Sequence, residues 1–322
     1  MSEIYLVFVV FLFVLAVFDL MVGVSNDAVN FLNSAIGAKV AKFRTIIIVA
    51  AVGVFLGATM SNGMMEVARN GVFHPAMFSM KELMFIFLAV MISDVILLDI
   101  FNNLGLPTST TVSLVFELLG GTTAFVLLKL ANDTTGLTVG DLMNTEKALG
   151  MIMAIFVSVA IAFFFGIVLQ YISRIVFTFT YKKNLKWKIG IFGGVATTAI
   201  FYFMLFKGIK SMSFVTPEIY EYIQNHTLTI LGICFLASTA LMQVLYFLKV
   251  NVFKVLVLMG TFALAMAFAG NDLVNFIGVP LAGYSSYIDF ASSGATDPGS
   301  FMMSSLDGPA KSPLIFLIAA GA

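Results

Sequence analysis

Charge is the scarcest thing in this chain. Of 322 residues 11% are Asp, Glu, Lys or Arg, against about 25% in a soluble domain. With 60% hydrophobic residues and a mean hydropathy of +1.05, this excludes a water-soluble globular domain. The 17 basic and 17 acidic residues cancel, and no long basic tract is present, which argues against a nucleic-acid partner. Cysteine is nearly absent. Cys234, the single copy, lies in an apolar run, so an intrachain disulfide is excluded and the residue reads as a small hydrophobe. The two histidines, His74 and His226, fall in expected loops. Neither a nucleophile–base pair nor a Cys/His metal cluster is legible, so no enzyme is expected. The Met-Ser-Glu start lacks a basic region and a small-residue cleavage site and reads as a retained first span.

What the chain has in abundance is apolar length. A helical span needs about 20 apolar residues. Such runs lie near 4–24, 45–66, 82–104, 112–130, 148–173, 188–207, 227–248 and 252–268, with another beginning at Pro313. The expected fold is all-α, a polytopic membrane protein. Polar or glycine-rich continuations at 25–38, 105–111 and 269–283 read as broken or re-entrant helices, tolerated at membrane depth only inside protein or a wet cavity. With the N-terminus outside, ten basic residues (Lys39 to Arg44, Arg174 to Lys188, Lys249 and Lys254) fall on the cytoplasmic face against six opposite. A multi-pass protein of the plasma (inner) membrane, embedded in the lipid bilayer with its N-terminus outside, is the expectation.

Against this background one motif recurs. Asn26-Asp27-Ala28-Val29-Asn30-Phe31 returns as Asn271-Asp272-Leu273-Val274-Asn275-Phe276, with five of six positions identical. A carboxylate in hydrocarbon is costly and usually marks an ion or substrate pathway. Under the expected topology the two copies run in opposite directions, as inverted repeats require, and secondary carriers are often built that way. Helical spacing puts Asn26, Asp27 and Asn30 on one face, and likewise Asn271, Asp272 and Asn275. Small residues ahead of each copy (Gly23, Ser25; Ala269, Gly270) suit an unwound turn with free carbonyls. One carboxylate with amide and backbone oxygens is a hard-oxygen cage fit for Na+. The competing reading is polar glue between helices.

A second element, Pro107-Thr108-Ser109-Thr110-Thr111, reads as a hydroxyl-rich helix start with proline in the first turn. Hydroxyl and amide donors beside the positive end of a helix form an anion site, and phosphate is a typical occupant; an ordinary polar cap is the alternative. Cation cages beside such a site describe a cation-coupled oxyanion carrier. Asp19, Asp94, Asp99 and Glu117 also fall in expected spans. All four join Thr111 as second-tier candidates.

Together, Gly23-Val-Ser-Asn-Asp-Ala-Val-Asn-Phe31, Leu56-Gly-Ala58, Glu66-Val-Ala-Arg-Asn-Gly71, Leu106-Pro-Thr-Ser-Thr-Thr111 and Ala269-Gly-Asn-Asp-Leu-Val-Asn-Phe-Ile-Gly278 resemble the inorganic phosphate transporter (PiT) family. That family carries a G-A-N-D-x-A-N motif and a P-x-S-T-T-H element in each of two inverted repeats. The resemblance implies Na+- or H+-coupled phosphate uptake at a midplane site, with no further cofactor, and is compatible with a homodimer. It implies that Asp27, Asn30, Asp272 and Asn275 serve the cations, and that Thr108, Ser109 and Thr110, with Asn26 and Asn271, serve phosphate. Glu66 stands where the family tends to hold a polar residue and is second tier.

The chain departs from the family pattern in three places. Val24-Ser25 replaces Gly-Ala, Val112 stands in place of the histidine, and no second hydroxyl element follows Asp272 before Ala322. The last departure, with the end of the chain inside an apolar run, leads us to expect a truncated piece of a longer carrier. The expected organisation is a first repeat at 1–150 and linking helices with a basic cytoplasmic loop at 151–250. The start of the second repeat follows at 251–322. A sulfate or other oxyanion permease is the alternative within this class; an ion channel or structural membrane subunit is the alternative outside it.

Overall fold

The computed structural model describes residues 2–60, 67–132, 136–178, 185–209, 216–307 and 313–322. Glu66 lies outside them. The chain is helical: α1 (Ser2–Gly37), α2 (Phe43–Met60), α3 (Met80–Leu104), α4 (Thr110–Ala131), α5 (Val139–Leu142), α6 (Thr145–Phe177), α7 (Lys188–Ile209), α8 (Pro217–Asn225), α9 (Thr227–Phe247), α10 (Val252–Asn271), α11 (Leu273–Ser293) and α12 (Leu314–Gly321). Among the described residues extended pairing is confined to the isolated bridges Phe73–Met143 and Ser79–Met302. The reason is solvation. In hydrocarbon a helix bonds its own backbone, whereas an open strand edge would leave amides unpaired.

Seven helical segments among the described residues are long and apolar enough to cross a bilayer, the last of them running from Val252 to Ser293 over both α10 and α11. The protein is therefore an integral membrane protein. The described apolar part of α7, Lys188–Met204, falls short of that length. α6 matches α1 in hydropathy but buries none of its most apolar window, leaving residues such as Phe163 and Leu169 exposed.

The chain divides into two compact units that interleave along the sequence. One comprises residues 1–29, 62–155 and 271–322, the other 30–61 and 156–270. In the first, α3, α4 and α11 pack together over a core that includes Leu12, Phe73, Phe87, Leu118 and Val279. Helix α3 is tightly delimited. Ser79 and Glu82 form a reciprocal capping box at its start, and Gly105 ends it in the left-handed conformation (φ 67) that glycine adopts without strain. In the second unit α7 lies along α9, and α2 approaches α10 through glycines: a Cβ on Gly53 would stand 2.6 Å from the Phe262 carbonyl oxygen. Small residues permit such backbone contact in membranes.

The expected helix breaks are realised unevenly. The 105–111 segment is non-helical from Gly105 to Ser109, and α4 starts at Thr110, so Pro107 precedes the helix instead of entering its first turn. The 25–38 segment is no break at all, because α1 runs on through Gly37. Ser25 bonds back to the Met21 carbonyl (2.7 Å), and the Asn26 side chain finds partners on other segments, so the backbone ladder stays intact. At 269–283 the interruption is a single residue. Asp272 keeps nearly helical dihedrals (φ −85, ψ −30), and the Asn275 N–H bonds back to the Asp272 carbonyl at 3.0 Å, a tight three-residue turn.

Candidate functional site

The site lies in the first unit, where the start of α4 meets both motif carboxylates. Ser109 is the N-cap of α4. Its hydroxyl accepts from the Val112 N–H at 3.5 Å, which frees the next two residues to point their hydroxyls elsewhere. Thr110 donates to Asp27 Oδ2 (3.1 Å) and Thr111 donates to Asp272 Oδ1 (3.0 Å). Consecutive Cα atoms are about 3.8 Å apart, so the two acids, distant in sequence, meet at neighbouring residues of one helical turn. Thr111 also accepts from Asn275 Nδ2 at 2.7 Å, which ties three candidates into one chain of hydrogen bonds. Asp27 is buried; Asp272 is half-buried.

Asn26 latches the segment that precedes α4. Its Nδ2 donates to Asn102 Oδ1 (2.9 Å) and to the Leu106 carbonyl (3.0 Å), while its Oδ1 accepts from the Thr108 N–H at 2.7 Å. Both amide hydrogens are thus committed, so the side chain positions Thr108. Asn102 completes the latch by donating to the Val22 carbonyl at 2.8 Å. Sequence reasoning passed over Asn102. Its only local signal is a pair of asparagines closing an apolar helix before Gly105.

Packing brings the two motifs together from each side. Phe276 lies against Gly23, where any Cβ would collide with the ring, and in the second unit Phe31 packs on Phe268 at 5.5 Å between ring centroids. Each motif's phenylalanine therefore meets the position three residues ahead of the other motif.

Not every candidate joins the cluster. Asn30 is exposed, as is Ser109, while Thr108 is half-buried. Asn271 closes α10, and its side chain lies outside the described residues, as Glu66 does entirely. Asp94 and Glu117 meet at Ser113, one turn further along α4. Arg69, from the Glu66–Gly71 motif, is buried in the same unit. It donates to the Ser305 carbonyl (3.1 Å); burial pushes its guanidinium below the usual value, and Asp289 opposes that shift.

A carboxylate pair, two aligned hydroxyls and the positive end of a 22-residue helix form a site able to hold hard cations and an oxyanion together. A solved structure titled "The sodium-dependent phosphate transporter" superposes with a TM-score of 0.61 at 19% identity, covering 96% of this chain and 72% of that one. This likeness shows the fold. No curated protein sequence matches the chain. The sequence profile described as the phosphate transporter family matches residues 23–322, and the chain belongs to that family.

Proposed function

We propose that the protein is a secondary carrier that couples Na+ entry to uptake of inorganic phosphate across the plasma (inner) membrane, with H+ as the competing coupling ion. One observation carries the reading: two acids from a duplicated motif converge on consecutive hydroxyls at a helix N-terminus. Asp27 and Asp272 hold the cations, Asn275 supports Asp272 through Thr111, and Thr108, Ser109 and Thr110 face phosphate. Asn26 serves phosphate by fixing the Thr108 backbone. Asn30 and Asn271 belong to the proposed set through the repeat alone.

The hydrogen bonds themselves supply a coupling mechanism. Each threonine hydroxyl has one hydrogen to donate. While the carboxylates are bare, those hydrogens are directed at Asp27 and Asp272. A cation seated on the carboxylates takes over the same lone pairs and neutralises the charge that repels an anion. The hydroxyls then turn to phosphate at the positive end of α4. Na+ therefore binds first and raises phosphate affinity, and by linkage phosphate raises Na+ affinity by the same factor.

Radiolabelled phosphate uptake into proteoliposomes of the full-length protein tests this. Uptake should follow an imposed Na+ gradient and disappear in Asp27→Ala. Uptake indifferent to both would overturn the reading. An equal block by sulfate would widen the substrate to tetrahedral oxyanions at large.

A further inference from the structure

A second acidic cluster occupies the same bundle, and the transport site does not use it. Asp19 of α1, Asp94 of α3 and Glu117 of α4 converge there; Asp19 is fully buried and Asp94 is 3% exposed. The Ser113 Oγ stands 2.8 Å from Asp94 Oδ1 and 2.9 Å from Glu117 Oε1. A hydroxyl has a single hydrogen and can satisfy one of those oxygens. The other contact, at hydrogen-bonding distance, needs a hydrogen that only a protonated carboxyl supplies. Asp19 makes the same demand more strongly. Both of its oxygens, and Glu117 Oε2, are buried with no hydrogen-bond partner among the described residues, and the Asp19 carboxyl faces that of Asp94. Two ionised carboxylates cannot bond to each other; one proton between them would satisfy both.

No cation pairs with these acids among the described contacts. The charged groups that reach the cluster from neighbouring positions are acids too, with Asp27 interacting with Asp94 and Asp272 interacting with Asp27. Elsewhere on the same helices, Lys129 pairs with Glu82, and Asp99 accepts from Asn103. On α11, which packs against α3 and α4, the titratable groups are Tyr284, Tyr287 and Asp289, and Asp289 faces Arg69. Among the described residues no group of three His, Cys, Asp or Glu side chains is disposed to hold a metal ion. Three ionised carboxylates in this low-dielectric setting would be desolvated and mutually repelled, and protonation removes both penalties.

We propose that Asp19, Asp94 and Glu117, bridged by Ser113, form a proton-binding site of the bundle, separate from the cation site at Asp27 and Asp272. Ser113 follows Thr110 by three residues on α4, so the two sites share one helix. A proton at Glu117 or Asp94 sets how much negative charge the motif acids face. The inference rests on the carrier reading only for what the proton does during transport; its chemistry stands on the geometry.

Infrared spectroscopy of the full-length protein in lipid tests it, because a protonated carboxyl has a C=O stretch distinct from that of a carboxylate and shifts in D2O. At neutral pH the protein should show such bands, and they should vanish as pH rises. Asp19→Asn and Glu117→Gln, each close in shape to the protonated acid, should remove different parts of the signal while unfolding at the parent temperature. If Asp19→Asn fails to fold, Glu117→Gln alone decides. Bands unchanged in a folded variant would overturn the proposal. So would bands abolished by NaCl at fixed pH, which would make this a sodium site. Absent phosphate uptake would refute the carrier reading and leave the spectra standing.

Discussion

The two copies of the hexapeptide share five of six residues and differ in what the chain does around them. The first sits inside an unbroken 36-residue helix with a buried acid; the second stands at the joint between α10 and α11 with a half-buried one. Asp27 takes one hydroxyl, Thr110. Asp272 takes Thr111, which Asn275 also grips. The first asparagine of the first copy latches backbone, whereas the last asparagine of the second reaches the site. The carboxylate meets a hydroxyl in both copies, whereas the last asparagine is exposed in the first copy and reaches the site in the second. A tight copy that holds the site's shape faces a looser copy with more solvent access, and this division can be tested one side at a time.

The largest effects should come from the acids. Asp27→Asn and Asp272→Asn each keep an acceptor for the threonine but remove the charge a cation needs. A charged hydrogen-bonding group is worth about 1.5–3 kcal/mol, so phosphate uptake should fall about 10- to 100-fold in both variants. Uptake assays that find one acid dispensable would break the symmetry on which a shared site depends.

Next in size is the packing between copies. Gly23→Ala drives a methyl group into the Phe276 ring, which is itself buried. Overpacking of this kind costs about 1–3 kcal/mol. Thermal unfolding should show that loss, and Phe276→Leu should recover most of it in the double variant. Additive losses would mean that the two residues are not energetically coupled.

The sequence made some of this visible and hid the rest, for reasons of range. Hydropathy revealed the helices because in lipid each helix is a local object that bonds itself. The repeat exposed both acids because a costly residue appearing twice stands out. The pairing of Thr110 with Asp27 and of Thr111 with Asp272 spans 83 and 161 positions, and helical periodicity says nothing at that distance. Thr111 therefore ranked behind Ser109, although Ser109 caps the helix and Thr111 bridges Asp272 to Asn275. Asn102 and the convergence of Asp19 on Asp94 were hidden for the same reason. Spacing along α3 says which face Asp94 takes, not which helix lies opposite.

The hydroxyls sharpen the contrast between copies. Thr111→Val loses a donor to Asp272 and an acceptor for Asn275, whereas Thr110→Val loses one bond. At about 1 kcal/mol for each net hydrogen bond, Thr111→Val should weaken Na+-dependent uptake about tenfold or more and Thr110→Val about fivefold. Equal effects, read as the Na+ concentration for half-maximal uptake, would mean that the bond from Asn275 to Thr111 adds nothing to the site.

The smallest effect asks why the copies differ at all. Ser25 and Gly270 occupy equivalent places ahead of the motif; the serine bonds back to Met21, and the glycine leaves its helix weaker. Ser25→Gly should cost about 0.5–1 kcal/mol and loosen the first copy toward the behaviour of the second. Gly270→Ser is sterically open, since among the described residues a Cβ there would meet only the Gly57 carbonyl oxygen at 3.8 Å, and should stiffen the joint at Asp272. Hydrogen exchange around residues 22–30 and 268–276 reads both directly. If exchange rises in the first variant and falls in the second, the preceding residue sets the helix break. If neither moves, tertiary packing from Phe276 and Thr111 holds each copy in its own shape, and the local sequence is only permissive.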